Sequence, residues 1–409
     1  MTDAQTVRFA TTTDPLARFV ALYALLFAAF GVSSPFLPAF IGTRGIGVEE
    51  IGLIFAAGTA LRLVSALLVG RLADRLALRR ETLAACAVLA AVAALLYLPA
   101  SGLAAIVMVS SVHAIALAPL TALADALVLL AATPRFRGQR PVFEYGWVRG
   151  TGSAAFIAGS LVVGGTIGST GVESIVWLQA IVLMGIPFAA RLVPDDQRVA
   201  ISPAAELVTR ENLRTLLGDV VFRRVVLVAA LVLGSHAMHD TFSVIRWRAA
   251  GLSPMTTSLL WSISVAAEVV VFFLIGPWLV RTLRPAGAIA VAALAGAARW
   301  CIAAVTVDVT ALFLIQPLHG LTFALLHLAC MRLLAQSVPP RLAATAQAIY
   351  GVVGVGAASA LLTLVSGWLY GQMGATAFAA MSLLCLAALP LAIKLRQSAD
   401  PALTALPRS

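Results

Sequence analysis

The feature that most constrains this chain is its succession of long apolar runs. A bilayer core needs about 20 apolar residues per helix, and the 409-residue sequence supplies twelve such runs. Their approximate limits are 16–41, 50–73, 82–99, 103–132, 142–166, 173–193, 223–247, 256–280, 286–306, 308–336, 342–370 and 374–396. Strand-like alternation is absent, which argues against an outer-membrane barrel. Only helices or closed barrels satisfy the backbone in lipid, so the expected fold class is an all-α membrane protein of twelve transmembrane helices. Composition points the same way. The chain is 61% hydrophobic and 11% charged, whereas soluble domains carry about 25% charged residues. A soluble enzyme is disfavoured, and disorder is excluded by the high hydrophobicity. The first run lacks a basic leader and a small-residue cleavage site, so it reads as a retained helix and not a signal peptide. Cys86, Cys301, Cys330 and Cys385 are isolated in apolar runs. They read as helix-interface residues, without metal or redox spacing.

The formal charge of +10 invites a nucleic-acid reading until the basic residues are placed. With both termini on one side, that side holds all but six of the 28 Lys and Arg residues. Arg44, Arg246 and Arg248 fall on the other side, and Arg62, Arg149 and Arg299 fall inside helices. Basic residues concentrate in cytoplasmic loops. Both termini are therefore expected in the cytoplasm, in a bacterial-type inner membrane, and no nucleic-acid partner is needed.

The longest polar stretch, from Pro194 to about Arg224, divides the chain into two halves, 1–193 and 223–409, with 194–222 as a cytoplasmic linker. The halves share a faint repeat at an offset of 206 residues. It pairs Phe36 with Phe242, Gly45 with Gly251, Gly70 with Gly276 and Arg75 with Arg281. Transporters are often built from such repeats, with the substrate site between them near the midplane. The same offset pairs Ser34 with Asp240 and Arg62 with Glu268. Gly351, Gly354 and Gly356 suit close helix packing and are too common in membrane helices to indicate function alone.

An ionised side chain at the bilayer centre costs about 2.5–3.5 kcal/mol on insertion scales and usually faces a cavity or a partner. Six such residues lie in the runs: Arg62, Arg149, Arg299, Asp125, Asp240 and Glu268. Three cations and three anions allow mutual pairing that merely fixes helix packing, yet six in one protein favour a functional pathway. His236 and Asp240 share a helix face, with His239 one step round, and His319 lies in the tenth run. Such groups suit reversible proton binding. His236, His239 and Asp240 could instead hold a metal, but no further ligand is evident. His113 and His327 read as packing residues, and Trp247 and Trp278 sit where aromatic belts occur. The loop from Gly70 to Arg80 places Asp74 near Arg75, Arg79 and Arg80. Asp–Arg contacts of that kind can separate, and so can favour one domain arrangement over another.

That loop resembles the signature between helices two and three of the major facilitator superfamily, with Ala77 where a second glycine is usual. The closer resemblance is to the 3-phenylpropionate transporter family, a branch related to lactose permease. It rests on Phe36-Leu37-Pro38, Ile51-Gly52-Leu53, Ala60-Leu61-Arg62, Tyr145 to Gly152, Arg246 to Gly251, Trp261-Ser262, Ala266-Ala267-Glu268 and Leu318 to Phe323. It covers essentially the whole chain and implies two pseudo-symmetric six-helix bundles. It also implies a helix-four carboxylate at Asp125 with its helix-five arginine partner at Arg149. Glu268 falls on a carboxylate used in substrate binding and proton coupling. Arg299, His319 and Asp240 fall on members of the proton-coupling network. Thr322 stands where the permease has its main proton-carrying glutamate, Gln316 replaces a lysine, and the helix-eleven lysine falls near Ala358. Arg62 departs from the permease and agrees with the phenylpropionate branch. A buried guanidinium can hold a carboxylate bidentately, or pair with another intramembrane acid.

The expectation is thus a secondary transporter that imports a small aromatic or other organic carboxylate with a proton, using no cofactor and working as a monomer. Arg62, Asp125, Arg149 and Glu268 are the expected substrate ligands. Glu268, Asp240, His319, Arg299, His236 and His239 would serve the proton, and Gly70, Asp74 and Arg75 would form a gating loop. Sugar or nucleoside symport and drug or metabolite antiport remain open. A membrane-embedded metalloenzyme would need a metal or nucleophile constellation that does not assemble, and no Walker-type phosphate loop is present.

Overall fold

The structure is a computed structural model that describes residues 15–132, 143–194 and 210–399. Among the described residues it is all-helical, with no strand. The first half consists of α1 (Pro15–Ser33, resuming as Leu37–Gly42), α2 (Val48–Leu76), α3 (Arg79–Leu96), α4 (Gly102–Ala132), α5 (Tyr145–Thr170) and α6 (Ser174–Leu192). A short helix, Arg210–Gly218, precedes the second half. There α7 runs Val220–Val232 and resumes as His236–Ala249, and α8 begins at Pro254. The helix Gly276–Val305 is bent at Arg284 (φ 59°, ψ 160°), ahead of Pro285, so α8 spans 254–283 and α9 spans 285–305. Then follow α10 (Val309–Ile315, resuming at Leu318 and ending at Ser337), α11 (343–373) and α12 (Phe378–Ala387 with Leu389–Ala399).

Nine helical stretches among the described residues are long and apolar enough to cross a membrane. Two of them, Pro254–Val305 and Pro340–Gln397, each hold two spans, and α3 misses the test because its first turn carries Arg79, Arg80 and Glu81. Twelve spans result. Most of the expected linker 194–222 lies outside the described residues.

The repeat seen in sequence recurs in local geometry. Gly45 and Gly251 both take positive φ, 77° and 85°, where a side chain would be strained. The N-caps that follow, Gly47 for α2 and Ser253 for α8, keep the same 206-residue offset. Ser253 Oγ accepts from Thr256 N at 3.1 Å, satisfying an otherwise orphaned helix donor.

Besides the single-residue break at Ala388 in α12, three spans are interrupted: α1 at 34–36, α7 at 233–235 and α10 at Gln316-Pro317. Proline has no N–H and cannot continue the ladder, which accounts for the breaks at Pro35 and Pro317. The last two interruptions put His236 and His319 on the first turn of a resumed helix.

In the first bundle α1 packs on α5 and α6, α2 on α4, and α3 on α4 and α6. In the second, α9 packs on α10 and α12, and α7 on α11. The bundles meet along α2–α11 and α5–α8. Their backbones come close at the end opposite Pro15, where a Cβ on Gly52 would stand 2.6 Å from Gly367 Cα. Ser258 Oγ donates to Ser160 O at 2.6 Å, and Gln372 Nε2 donates to Glu49 Oε1 at 3.1 Å at that same end.

Trp247 corrects the aromatic-belt expectation. It is 3% exposed, with its ring 5.7 Å from that of His239, so it fills the bundle interior, whereas Trp278 is exposed. Cys330 and Cys385 are buried between helices, but Cys301 is exposed.

Candidate functional site

A cavity of about 520 Å³ lies between the bundles, within the range of small-molecule sites. Its lining is divided by charge. The first half contributes Arg62 from α2 and Arg149 from α5, among Phe27, Phe30 and Phe156. The second half contributes His236, His239 and Asp240 from α7, Glu268 from α8 and His319 from α10, beside Trp261 and Phe323. Seven of the nine residues expected to bind substrate or serve the proton therefore share one space, although they are spread over 258 positions of sequence.

The second wall is a connected network. Gly320 is required by close packing, since a Cβ there would stand 2.6 Å from the backbone oxygen of Ala267. That approach of α10 to α8 brings His319 Nε2 to 3.5 Å from Glu268 Oε2. Below the lining, Arg299 of α9 is 1% exposed. Its Nη1 donates to His319 Nδ1 at 3.1 Å, and its Nη2 donates to His239 Nε2 at 3.3 Å and Gln316 Oε1 at 2.7 Å. Ser264 of α8 donates to the same Gln316 oxygen at 2.9 Å. His239 Nδ1 in turn lies 3.3 Å from Asp240 Oδ1, and His236 Nε2 lies 3.0 Å from Thr322 Oγ1. The guanidinium carbon lies over the Trp300 ring, 4.5 Å from its centroid.

Direct pairing of the six intramembrane charges, the packing alternative, is not what forms. Among the described residues Arg62 and Arg149 have no hydrogen-bond or ion-pair partner, and Arg149 lies 4.7 Å over the Phe27 ring. Asp125 lies away from the cavity lining. It accepts a hydrogen bond from Tyr23 and another, at 2.9 Å, from Tyr145, and these phenols stand where the Arg149 partner was expected. Arg299 also lies behind the lining and reaches the acids only through histidines.

The loop residues lie away from the site. Asp74 accepts from Arg79 Nε at 2.6 Å, and Arg79 is buried while Arg75 is exposed. A Cβ at Gly70 would meet nothing within 4 Å. Ala77, in the position where the signature usually has glycine, takes φ 53° as the cap of α2.

His113, read from sequence as a packing residue, lines the cavity from α4, and its Nε2 has no hydrogen-bond partner among the described residues. Gln179 and Ser33, bonded at 2.8 Å, extend the polar content of this half. The one signal for them was polarity in apolar runs. Among the described residues no group of three or more His, Cys, Asp or Glu could hold a metal; Arg299, which cannot coordinate one, lies between His239 and His319.

Two six-helix bundles enclosing a polar cavity at mid-height define a membrane transporter of the major facilitator type. The chain belongs to the MFS_1 like family, whose model matches residues 16–380. It is 31% identical over 379 residues to a protein of Escherichia coli strain K12 named as a probable 3-phenylpropionic acid transporter, covering 91% of this chain and 96% of that one. The crystal structure of the nucleoside transporter NupG matches with a TM-score of 0.80 at 16% identity, covering 97% of this chain and all of the other. A bacterial homolog of the human lysosomal transporter Spinster, inward-facing and occupied, matches with a TM-score of 0.71 at 14% identity over 97% of this chain and 98% of that one. These structural likenesses establish the fold. Relatives and fold are those of multi-pass membrane transporters, not of enzymes.

Proposed function

We propose that this protein is a proton-coupled symporter of a small aromatic carboxylate, working by alternating access. The observation that carries the reading is the division of cavity charge: Arg62 and Arg149 on one wall, Asp240 and Glu268 on the other. Two cations and two anions leave the empty cavity neutral. A bound carboxylate alone adds one negative charge, which a low-dielectric site resists. One proton on Glu268 or Asp240 restores neutrality, so substrate and proton each favour the other's binding, a reciprocal coupling.

Arg62 holds the carboxylate through its two-pronged guanidinium, and Arg149 supports it from the same wall. The rings of Phe27, Phe30, Phe156, Trp261 and Phe323 take the aromatic body. The relative's name, a probable 3-phenylpropionic acid transporter, supports the same substrate class. Glu268 is the chief proton carrier, with Asp240 beside it and the histidines and Arg299 positioning both. Asp125 acts indirectly, tying α4 to α1 and α5 through its two phenols. With both termini in the cytoplasm of a bacterial inner membrane, the end closed by Gly52 and Gly367 faces outward and the protein is inward-facing. The halves 1–193 and 223–409 would rock about the site within one monomer, and Gly70, Asp74 and Arg75 would bear on the opposite, cytoplasmic closure.

The test is uptake into proteoliposomes across a panel of aromatic and aliphatic carboxylates, sugars and nucleosides, with an imposed pH gradient. Aromatic carboxylates should accumulate only when the outside is acidic. Flux insensitive to the gradient would overturn proton symport, and uptake confined to nucleosides or sugars would overturn the substrate class.

A further inference from the structure

The histidine network contains a constraint on where protons sit that requires no knowledge of the substrate. Arginine is only ever a hydrogen-bond donor, whereas a neutral imidazole has one donor and one acceptor nitrogen. Arg299 meets His319 at Nδ1, 3.1 Å away, and His239 at Nε2, 3.3 Å away. Each of those nitrogens must therefore be the acceptor, and each ring proton must sit on the other nitrogen. Those other nitrogens face the acids, His319 Nε2 at 3.5 Å from Glu268 and His239 Nδ1 at 3.3 Å from Asp240.

His236 is fixed differently. The i−3 backbone oxygen of His319 stands 3.2 Å from Thr322 Oγ1 and, being acceptor-only, is assigned the single hydroxyl proton. The contact of Thr322 Oγ1 with His236 Nε2 at 3.0 Å is then an N–H donating to the hydroxyl oxygen. His236 Nδ1 keeps its lone pair, has no partner among the described residues, and belongs to a ring that lines the cavity.

We propose that Arg299 is a positioning residue that holds His239 and His319 as neutral rings in opposite tautomers, Nδ1–H and Nε2–H, leaving His236 as the histidine of this network free to accept a proton. A second proton on His239 or His319 would meet a nitrogen already taken by the guanidinium, so neither can charge while Arg299 stays in place. The groups facing Arg299 are His236, His239 and Asp240 from α7, Gln316 and His319 from α10, Cys385 from α12, and Glu268 and Ser264 of α8 through His319 and Gln316. Trp300 lies under it from its own helix. Gln316 contributes by being neutral and accepting: it engages one side of the guanidinium without competing with Asp240 for charge.

The test is solid-state nitrogen NMR of the full chain, labelled at histidine and reconstituted in lipid, with signals assigned by removing one histidine at a time. At neutral pH His239 should carry its proton on Nδ1, and His319 and His236 theirs on Nε2, all three uncharged. On lowering the pH, His236 should be the first of the three to gain a second proton. Arg299→Gln, whose amide both donates and accepts, should release the fixed tautomers of His239 and His319, while Arg62→Gln should leave them unchanged. If Arg299→Gln does not fold, the spectrum of the unsubstituted protein decides alone. The same tautomer at His239 and His319, or a doubly protonated ring at either one at neutral pH, would overturn the proposal. It rests on ring geometry, so a failure of proton-driven uptake would overturn the transport reading and leave this one standing.

Discussion

Among single residues, Arg62 and Ala77 make the sharpest predictions. Arg62 is an intramembrane guanidinium without a hydrogen-bond or ion-pair partner among the described residues, and a hydrogen bond to a charged group contributes about 1.5–3 kcal/mol. Arg62→Gln should weaken carboxylate binding by roughly 10- to 100-fold while leaving the fold intact, as read by ligand-dependent thermal stabilisation in detergent. Arg62→Lys keeps the charge without the fork and should fall between. Unchanged affinity for every carboxylate tested would remove Arg62 from the site. Ala77 occupies the left-handed region with φ 53°, which costs an L-residue about 1–2 kcal/mol. Glycine escapes that strain but loses about 0.5–1 kcal/mol in chain entropy. Ala77→Gly should thus stabilise the protein by roughly 0.5–1 kcal/mol, seen as a raised unfolding midpoint; a lowered midpoint would show that the cap is not strained.

Among the elements, closure depends on α2 meeting α11 through two glycines with no side chain between them. Gly52→Leu would force the backbones of α2 and α11 apart and disfavour the conformation closed at that end. Cysteines placed by Glu49→Cys and Gln372→Cys, whose parent side chains are bonded tip to tip at 3.1 Å, should be joined by a short bifunctional thiol reagent in the otherwise unchanged protein. Cross-linking should fall several-fold when Gly52→Leu is added, with substrate uptake falling in parallel. Undiminished cross-linking would mean that this contact does not control closure. The elements were also the level at which sequence was most legible: all twelve apolar runs correspond to spans. The interruptions of α1, α7 and α10 were harder to read, because hydropathy reports burial and not hydrogen bonding. Gly234-Ser235 and Gln316-Pro317 are short polar or breaker pairs within long apolar averages, and the pitch of a run does not change until the ladder is cut.

For the whole molecule, the balance of two cavity cations against two cavity anions predicts the electrical character of transport. A monovalent carboxylate moving with one proton transfers no net charge, so uptake should respond to a pH gradient and ignore an imposed membrane potential. Potassium-filled proteoliposomes with and without valinomycin measure this directly. A marked change in flux on clamping the potential would require another stoichiometry.

Length and apolarity alone determined that this chain spans a membrane in twelve helices, because every backbone polar group in lipid must be satisfied within its own helix. The scarcity of charge likewise singled out Arg62, Arg149, Arg299, Asp125, Asp240 and Glu268, since each is too costly in lipid to be incidental. Sequence could not say how those charges are arranged, because the arrangement depends on which helix faces meet. Contacts at a few glycines, Gly320 against Ala267 and Gly52 against Gly367, set the packing that decides it. Tertiary structure therefore placed Asp125 with two phenols instead of Arg149, and put Arg299 behind the wall. It also interposed His319 and His239 between that guanidinium and the acids. A guanidinium next to a carboxylate makes a fixed ion pair, whereas one separated from it by an imidazole sets the tautomer and leaves the acid free to exchange its proton.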